Sequence, residues 1–272
     1  MTQSNYLSMR LPIPFINVQK CIVKLLDAKC AEIYKIIERT RATIEEYKKL
    51  KQAVITEAVT KGVRGPRPMK PSGVEWIGNI PVEWEVKRIK YVVSLRNDKG
   101  VYNPSRDIYI GLENIVGFSD VLVETGTTYA ESEYQVCRAG DVMYSRLRPY
   151  LGKSLVCPID GFCTGELMLF SSFHGERRYL RYWFLSEHVT TVIVQSTYGT
   201  KMPRANPNYI LNLPIALPSP EEQQEIVAYL DTKCAEIDRI IGKKEQLIEE
   251  LGSYKKSLIY EYVTGKKQVL YK

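Results

Sequence analysis

"LDAKCAEIYKII" at Leu26–Ile37 and "LDTKCAEIDRII" at Leu230–Ile241 agree at nine of twelve positions, 204 residues apart. A repeat at fixed offset is read first, because it sets the architecture into which everything else must fit. At the same offset Pro14 matches Pro218, Gln19 matches Gln223, and Ile22-Val23 matches Ile226-Val227. Further on, Ile44-Glu45-Glu46 matches Ile248-Glu249-Glu250, and Val59-Thr60 matches Val263-Thr264. Apolar positions of the second copy (Ile226, Leu230, Cys234, Ile237, Ile241, Ile248, Leu251, Leu258) are separated by 3, 4 or 7, which places them on one face of a long helix. The first copy repeats the stripe as Ile22, Leu26, Cys30, Ile33, Ile37 and Ile44, with Lys, Arg and Glu on the opposite face.

Boundaries follow from the flanks. "LPSPEEQQEIV" supplies Ser219 as N-cap, Pro220 at the first helical position and Glu222 three residues after the cap, the spacing of a capping box. The first copy keeps the proline and glutamine but not the box, so its helix is expected to begin near Asn17. We expect helices over 18–61 and 218–264, a linker over 62–73 ("KGVRGPRPMKPSG" is rich in Gly, Pro and basic residues) and a tail over 265–272. A helix over 18–61 is roughly 65 Å long at about 1.5 Å per residue, and it needs its stripe covered. The simplest cover is the other copy, pairing through Ile33, Ile37, Ile44, Ile237, Ile241, Ile248 and Leu251.

Between the helices, residues 74–217 have another texture. Short β-rich runs ("IKYVVSL", "DIYIGL", "DVLVETGTTY", "GDVMYSRL", "SLVCPI", "ELMLFSSF") are separated by turn residues, and "GERRYLRYWFLSEHVTTVIVQST" reads as helical. The expected fold class is α+β, one globular domain flanked by two long helices that form an antiparallel coiled coil. Asn5-Tyr6 followed by Leu-Pro-Ile echoes Asn208-Tyr209 and its own Leu-Pro-Ile, so residues 1–17 read as the tail of a preceding copy of the middle domain.

Composition bounds the function. Among 272 residues, 44% hydrophobic and 25% charged content is that of a folded protein rather than a disordered one. No apolar run approaches the roughly 18–20 residues of a membrane span, and the N-terminus has no signal-peptide layout, so a cytoplasmic protein with no membrane partner is expected. The six cysteines form no C-x-x-C pair, and Cys30 and Cys234 fall on the apolar stripes, so most of them read as small buried thiols with no metal to hold. A net charge of +7 admits a polyanionic partner without requiring one.

Catalytic motifs resolve into ordinary structure. "NPNY" at Asn206–Tyr209 is one residue from the loop with which amino-methyltransferases grip a base, but no glycine-rich cofactor loop precedes it. The Glu85-x-Lys87 pair of "EWEVK" has no acidic partner of the kind a metal-dependent nuclease needs, and reads as a solvated face. His174 and His188 have no Ser or Cys placed for a triad, and there is neither a P-loop nor a dinucleotide fingerprint. No catalytic residue is assigned, and the chain reads as a non-enzyme. Basic residues interleaved with aromatics are more suggestive: Arg146, Arg148 and Lys153 in "GDVMYSRLRPYLGKS", and Tyr198, Lys201 and Arg204 in "STYGTKMPRANPNY". Lys and Arg suit phosphates, and Arg also pairs in bidentate fashion with guanine. These six are the candidate DNA-binding residues, with an ordinary basic surface as the alternative.

"SGVEWIGNIPVEWEVKRIKYVV" (Ser72–Val93), with its spacing of Trp76, Ile80, Pro81 and Trp84, resembles the opening of a target-recognition domain in the specificity subunits of type I restriction-modification systems. "GDVMYSRLRPYLGKSLV" and "LPIALPSPEEQQEIVAYLDTKCAEIDRIIGKKEQLIEEL" resemble that domain's interior and the helical spacer after it, through Pro220, Glu222 and Gln223. The resemblance implies a subunit without catalysis that reads a split DNA target and docks methyltransferase and restriction subunits. S-adenosylmethionine, ATP and magnesium then belong to those partners, and this chain binds no cofactor. The family carries two recognition domains where this sequence has one. A homodimer would restore the pair and give a palindromic bipartite target, and retention of both repeats favours it. The alternatives are a truncated subunit that sequesters methyltransferase subunits without productive DNA recognition, or a coiled-coil scaffold that binds no DNA.

Overall fold

The computed structural model describes residues 12–269, so the Asn5-Tyr6 echo and most of the expected 1–17 remnant lie outside the described residues. In chain order the elements are α1 (Ile16–Lys61), β1 (Met69–Pro71), β2 (Asn79–Pro81), β3 (Glu85–Arg88), β4 (Lys99–Tyr102), β5 (Tyr109–Ile110), β6 (Ser132–Cys137), β7 (Val142–Ser145), β8 (Ser154–Val156), β9 (Gly161–Cys163), β10 (Leu167–Phe170), α2 (Arg177–Leu185), α3 (Glu187–Gln195), α4 (Pro207–Asn212), β11 (Pro214–Leu217) and α5 (Pro220–Val263). They fall into two compact units: a helical pair of residues up to 49 and from 235 onward, and an α/β unit of residues 50–234. The α/β unit is larger than the expected 74–217 domain, because it takes in the C-terminal end of α1 and the N-terminal end of α5. Residues 62–73 include β1, which pairs antiparallel with β2.

In the helical pair, α1 and α5 run antiparallel. Lys255 Nζ donates to Tyr34 Oη at 2.7 Å, while Lys244 lies 5.7 Å from the Tyr47 ring centroid, so the numbering falls on one helix as it rises on the other. Ile33, Ile37, Ile44 and Ile237 are buried. Ile241, Ile248 and Leu251 are half-buried, and Leu258 joins the contact from the last turns of α5. The stripe changes employment in the other unit. There Ile55, Ala58 and Val59 of α1, and Ile226, Val227, Leu230 and Cys234 of α5, enter the α/β core instead of facing only the opposite helix. At these ends the α/β core covers the stripes.

Both helices begin alike. Gln223 Nε2 donates to Pro218 O at 3.0 Å, and Gln19 Nε2 donates to Pro14 O at 2.8 Å, so the repeated Pro-x4-Gln folds each N-terminus back on itself. The box expected around Ser219 closes on one side only. Ser219 Oγ accepts from the Glu222 N–H at 3.3 Å, but the Glu222 carboxylate turns inward to Trp84 and Arg67. A buried indole N–H left unpartnered is costly, whereas water can satisfy the exposed Ser219 amide.

The α/β unit holds four small sheets: β1-β2, β11-β3, β10-β7-β8 and β4-β6-β9-β5, with β5-β9 the one parallel pairing among them. Trp84, Trp183, Tyr179 and Phe184 fill its main core, and Ile110, Met143, Leu155 and Leu169 a second. Cys137, Cys157 and Cys163 are buried in the second core, and among the described residues no cysteine is in a disulfide. Two expected strands take other forms. "IKYVVSL" opens as a 3-10 turn at Ile89–Tyr91, because Ile89, Val92 and Val93 all face the core, a spacing of three and four instead of two. "DVLVETGTTY" contributes only the bridge between Leu122 and Ile115, and Val121 and Val123 remain exposed. The strand that follows it in the chain is β6, which lacks a strong apolar run. The predicted single helix over the aromatic stretch breaks at extended Ser186 into α2 and α3.

Candidate nucleic-acid interface

Two segments far apart in sequence meet on the α/β unit. Leaving β7, the chain turns at Arg148, whose φ of 48° is left-handed, into a 3-10 turn over Pro149–Leu151. Gly152 ends that turn at φ 58°, where a Cβ would come within 2.6 Å of the Phe118 ring. The second segment folds on itself as Tyr198 and Arg204 exchange backbone bonds of 3.1 and 3.0 Å around left-handed Gly199 (φ 86°). The two are then joined by Arg148 N to Pro203 O at 2.8 Å and Ala205 N to Arg146 O at 3.0 Å.

Five of the six predicted residues, Arg146, Arg148, Tyr198, Lys201 and Arg204, therefore share one surface. Their availability differs. Arg204 is locked to Glu166 by bonds of 2.6 and 2.9 Å, and this direct bonding holds its guanidinium above the ordinary value. Arg146 Nη2 donates to Gly165 O at 2.7 Å, and Arg148 Nη2 reaches Lys201 O at 3.4 Å. Tyr198 is 60% exposed, and no hydrogen bond or ion pair of the Lys201 ammonium is found among the described residues. Lys153 stands apart from the group, donating to Leu112 O at 2.6 Å between β8 and the turn after β5.

Three further members of this surface are not among the six candidates. Exposed Tyr150 and Met202 flank the joined loops, and Glu166 neutralises Arg204. Tyr150 stood in a quoted basic run and was within reach of the same argument, whereas Glu166, 38 residues from its partner, carries no local signal. The rejected motifs have structural employment. Asn206 Oδ1 caps α4 by accepting from the Asn208 N–H at 2.9 Å, with Pro207 at the first position. Glu85 and Lys87 form an exposed ion pair of 2.7 Å on β3. Among the described residues no group of His, Cys, Asp or Glu is placed to hold a metal ion, and no helix is long and apolar enough to cross a membrane.

The unit is anchored where two quoted motifs meet. Fully buried Trp84 donates through Nε1 to Glu222 Oε2 at 3.0 Å, Arg67 lies 5.4 Å over its ring, and Arg67 also pairs with Glu222. Gln223 Oε1 accepts from the Glu176 N–H at 2.9 Å, and Asp231 accepts from Arg178 (2.6 Å) and Tyr182 (2.7 Å) of α2. Residues 81–250 match the family described as type I restriction modification DNA specificity domain. The chain belongs to that family. It is 27% identical over 279 residues to the type I restriction enzyme MjaVIII specificity subunit of Methanocaldococcus jannaschii, covering 96% of this chain and 63% of that protein. It is 24% identical to the EcoDI specificity subunit of Escherichia coli, over 90% of this chain and 60% of the relative. The chain thus spans less than two thirds of the length of these specificity subunits. The same fold occurs in a solved structure of a type I R-M system (TM-score 0.69, 19% identity, 98% of this chain and 64% of that one). The HsdS subunit from Thermoanaerobacter tengcongensis shares it at TM-score 0.52 and 19% identity, over 94% of this chain and 61% of that one.

Proposed function

We propose that this chain is the DNA sequence-recognition subunit of a type I restriction-modification complex. The joining of residues 146–151 and 198–204 into one basic, aromatic surface on a member of the specificity-domain family carries the reading. It binds double-stranded DNA there, directs methyltransferase and restriction subunits to a split target, and works in the cytoplasm. It performs no chemistry and holds no cofactor; S-adenosylmethionine, ATP and magnesium are used by the partner subunits. As a homodimer it presents two identical recognition domains and reads a palindromic bipartite site, since two-fold protein symmetry is mirrored in the target.

Within this surface Lys201 is the phosphate contact, Tyr198 packs against the duplex, and Arg148 is the base reader, its guanidinium held by the Lys201 carbonyl. The test is duplex binding by the purified complex with methyltransferase subunits, measured across salt concentration. Lys201→Ala is expected to weaken binding to all sequences equally and to lower the salt slope by about 0.9. An unchanged slope would remove Lys201 from the interface. Lys153→Met is the control: losing its bond to Leu112 O costs about 1 kcal/mol of stability in urea denaturation, while DNA affinity stays at the unsubstituted value.

A further inference from the structure

Among the described residues two non-glycine residues have left-handed backbone, Phe118 at φ 54° and Arg148 at φ 48°. That conformation crowds Cβ against the following carbonyl, so a turn built on it has to be held from outside. The two residues stand on either side of one contact. The Phe118 N–H donates to Gly152 O at 2.9 Å, and Gly152 closes the turn that Arg148 opens. The Phe118 ring fills the space that a Cβ on Gly152 would need, and a Cβ on Gly117 would run into Leu151 O. The turn is thus held at both ends, by Pro203 O at the Arg148 N–H and by Phe118 at Gly152. The hold on Gly152 is itself anchored. Lys51 of α1, only 7% exposed, donates through Nζ to Phe118 O at 2.7 Å. Asp120 accepts from Arg178 Nη2 at 3.2 Å and lies 3.5 Å from Arg181 Nε, both on α2. Arg181 Nε also donates to Ser154 O at 3.0 Å, on the strand leaving the turn. Residues 117–120 therefore strap the turn to α1 and α2, and Phe118 belongs to neither core of the α/β unit.

We propose that Phe118 is a positioning residue for base reading: through Gly152 the strap holds the turn in its left-handed form and so aims the Arg148 guanidinium. The inference rests on Arg148 being the base reader, as proposed above. Among the described residues the Arg148 side chain makes one long bond, 3.4 Å to Lys201 O, and its Nε makes none. Its direction is therefore set by the backbone at 148. Released from the strap, the turn relaxes toward ordinary backbone and the guanidinium swings off the base. Tyr198 and Lys201 stay in place, because their segment is closed by its own bonds between Tyr198 and Arg204.

The experiment is fluorescence anisotropy of the complex with methyltransferase subunits on two duplexes. One carries the motif that the complex methylates in host DNA, and the other is its scrambled sequence. The variants are Phe118→Gly, Phe118→Leu, Asp120→Asn and Arg148→Ala. Glycine removes the ring and keeps the left-handed backbone without strain, and urea denaturation checks that the unit stays folded. Phe118→Gly is expected to weaken binding to the motif about tenfold, within the range for one lost base contact. Binding to the scrambled duplex and the salt slope should not change. Phe118→Leu, which refills part of the space beside Gly152, should restore most of the discrimination. In an Arg148→Ala background Phe118→Gly should add nothing, since both act through one side chain. Asp120→Asn leaves the ring in place and frees the strap from α2, so discrimination should fall in the same direction; it is the deciding variant if Phe118→Gly unfolds. Full discrimination by Phe118→Gly and Asp120→Asn, with Arg148→Ala impaired, would overturn the positioning role and leave Arg148 as the reader. An equal loss on both duplexes would also overturn it. Full discrimination by Arg148→Ala would overturn both.

Discussion

Trp84→Ala is expected to lower the stability of the α/β unit by about 3–5 kcal/mol, the range for emptying a buried aromatic site. Trp84 has no exposed surface, and its indole N–H ends on Glu222, whose side chain is itself only 3% exposed. Truncation leaves a cavity and strips a buried carboxylate of one of its two donors. It also loosens the start of α5, because Glu222 lies in its first turn. Urea denaturation followed by far-ultraviolet dichroism checks this, and a loss below about 1 kcal/mol would contradict the anchoring role. Glu222→Gln should be milder, about 1–3 kcal/mol, because the amide oxygen still accepts from the indole while the charge pairing with Arg67 is lost.

The second large effect concerns DNA. Replacing Arg148, Tyr198 and Lys201 together by alanine should weaken specific binding by the assembled complex roughly 100-fold or more. A single base-reading side chain accounts for about 1–3 kcal/mol, and the phosphate contact adds to it. Tyr198 and Lys201 are exposed and Arg148 keeps its backbone bond to Pro203, so urea denaturation should show a stability near that of the unsubstituted chain. Fluorescence anisotropy with a duplex carrying the target reads the affinity, and a fall of less than threefold would move the interface elsewhere.

The helical pair was legible because its signals are local and periodic: a twelve-residue repeat, steps of three and four, and a proline at the helix start. The strands of the three-stranded sheet were legible for the same reason, as compact apolar runs. Contacts between distant residues were not. Glu222 carries the spacing of a capping box, yet its partner Trp84 is 138 residues away and wins its carboxylate. Ile89, Val92 and Val93 look like strand residues until the core they share fixes a tighter turn. At the candidate interface, residue type and local clustering brought out five positions that the fold joins. The same reasoning could not see that Glu166 occupies Arg204 or that Lys153 is tied to Leu112.

The central claim is that this chain reads DNA for a type I complex through the joined loops. It is tested most directly by sequencing modified bases in host DNA after co-expression of the chain with its methyltransferase subunits. The account predicts methylation at a single bipartite motif, lost when Arg148, Tyr198 and Lys201 are all alanine although the complex still assembles. An intact complex that leaves no sequence-specific methylation, or one whose motif survives that triple substitution unchanged, would contradict it.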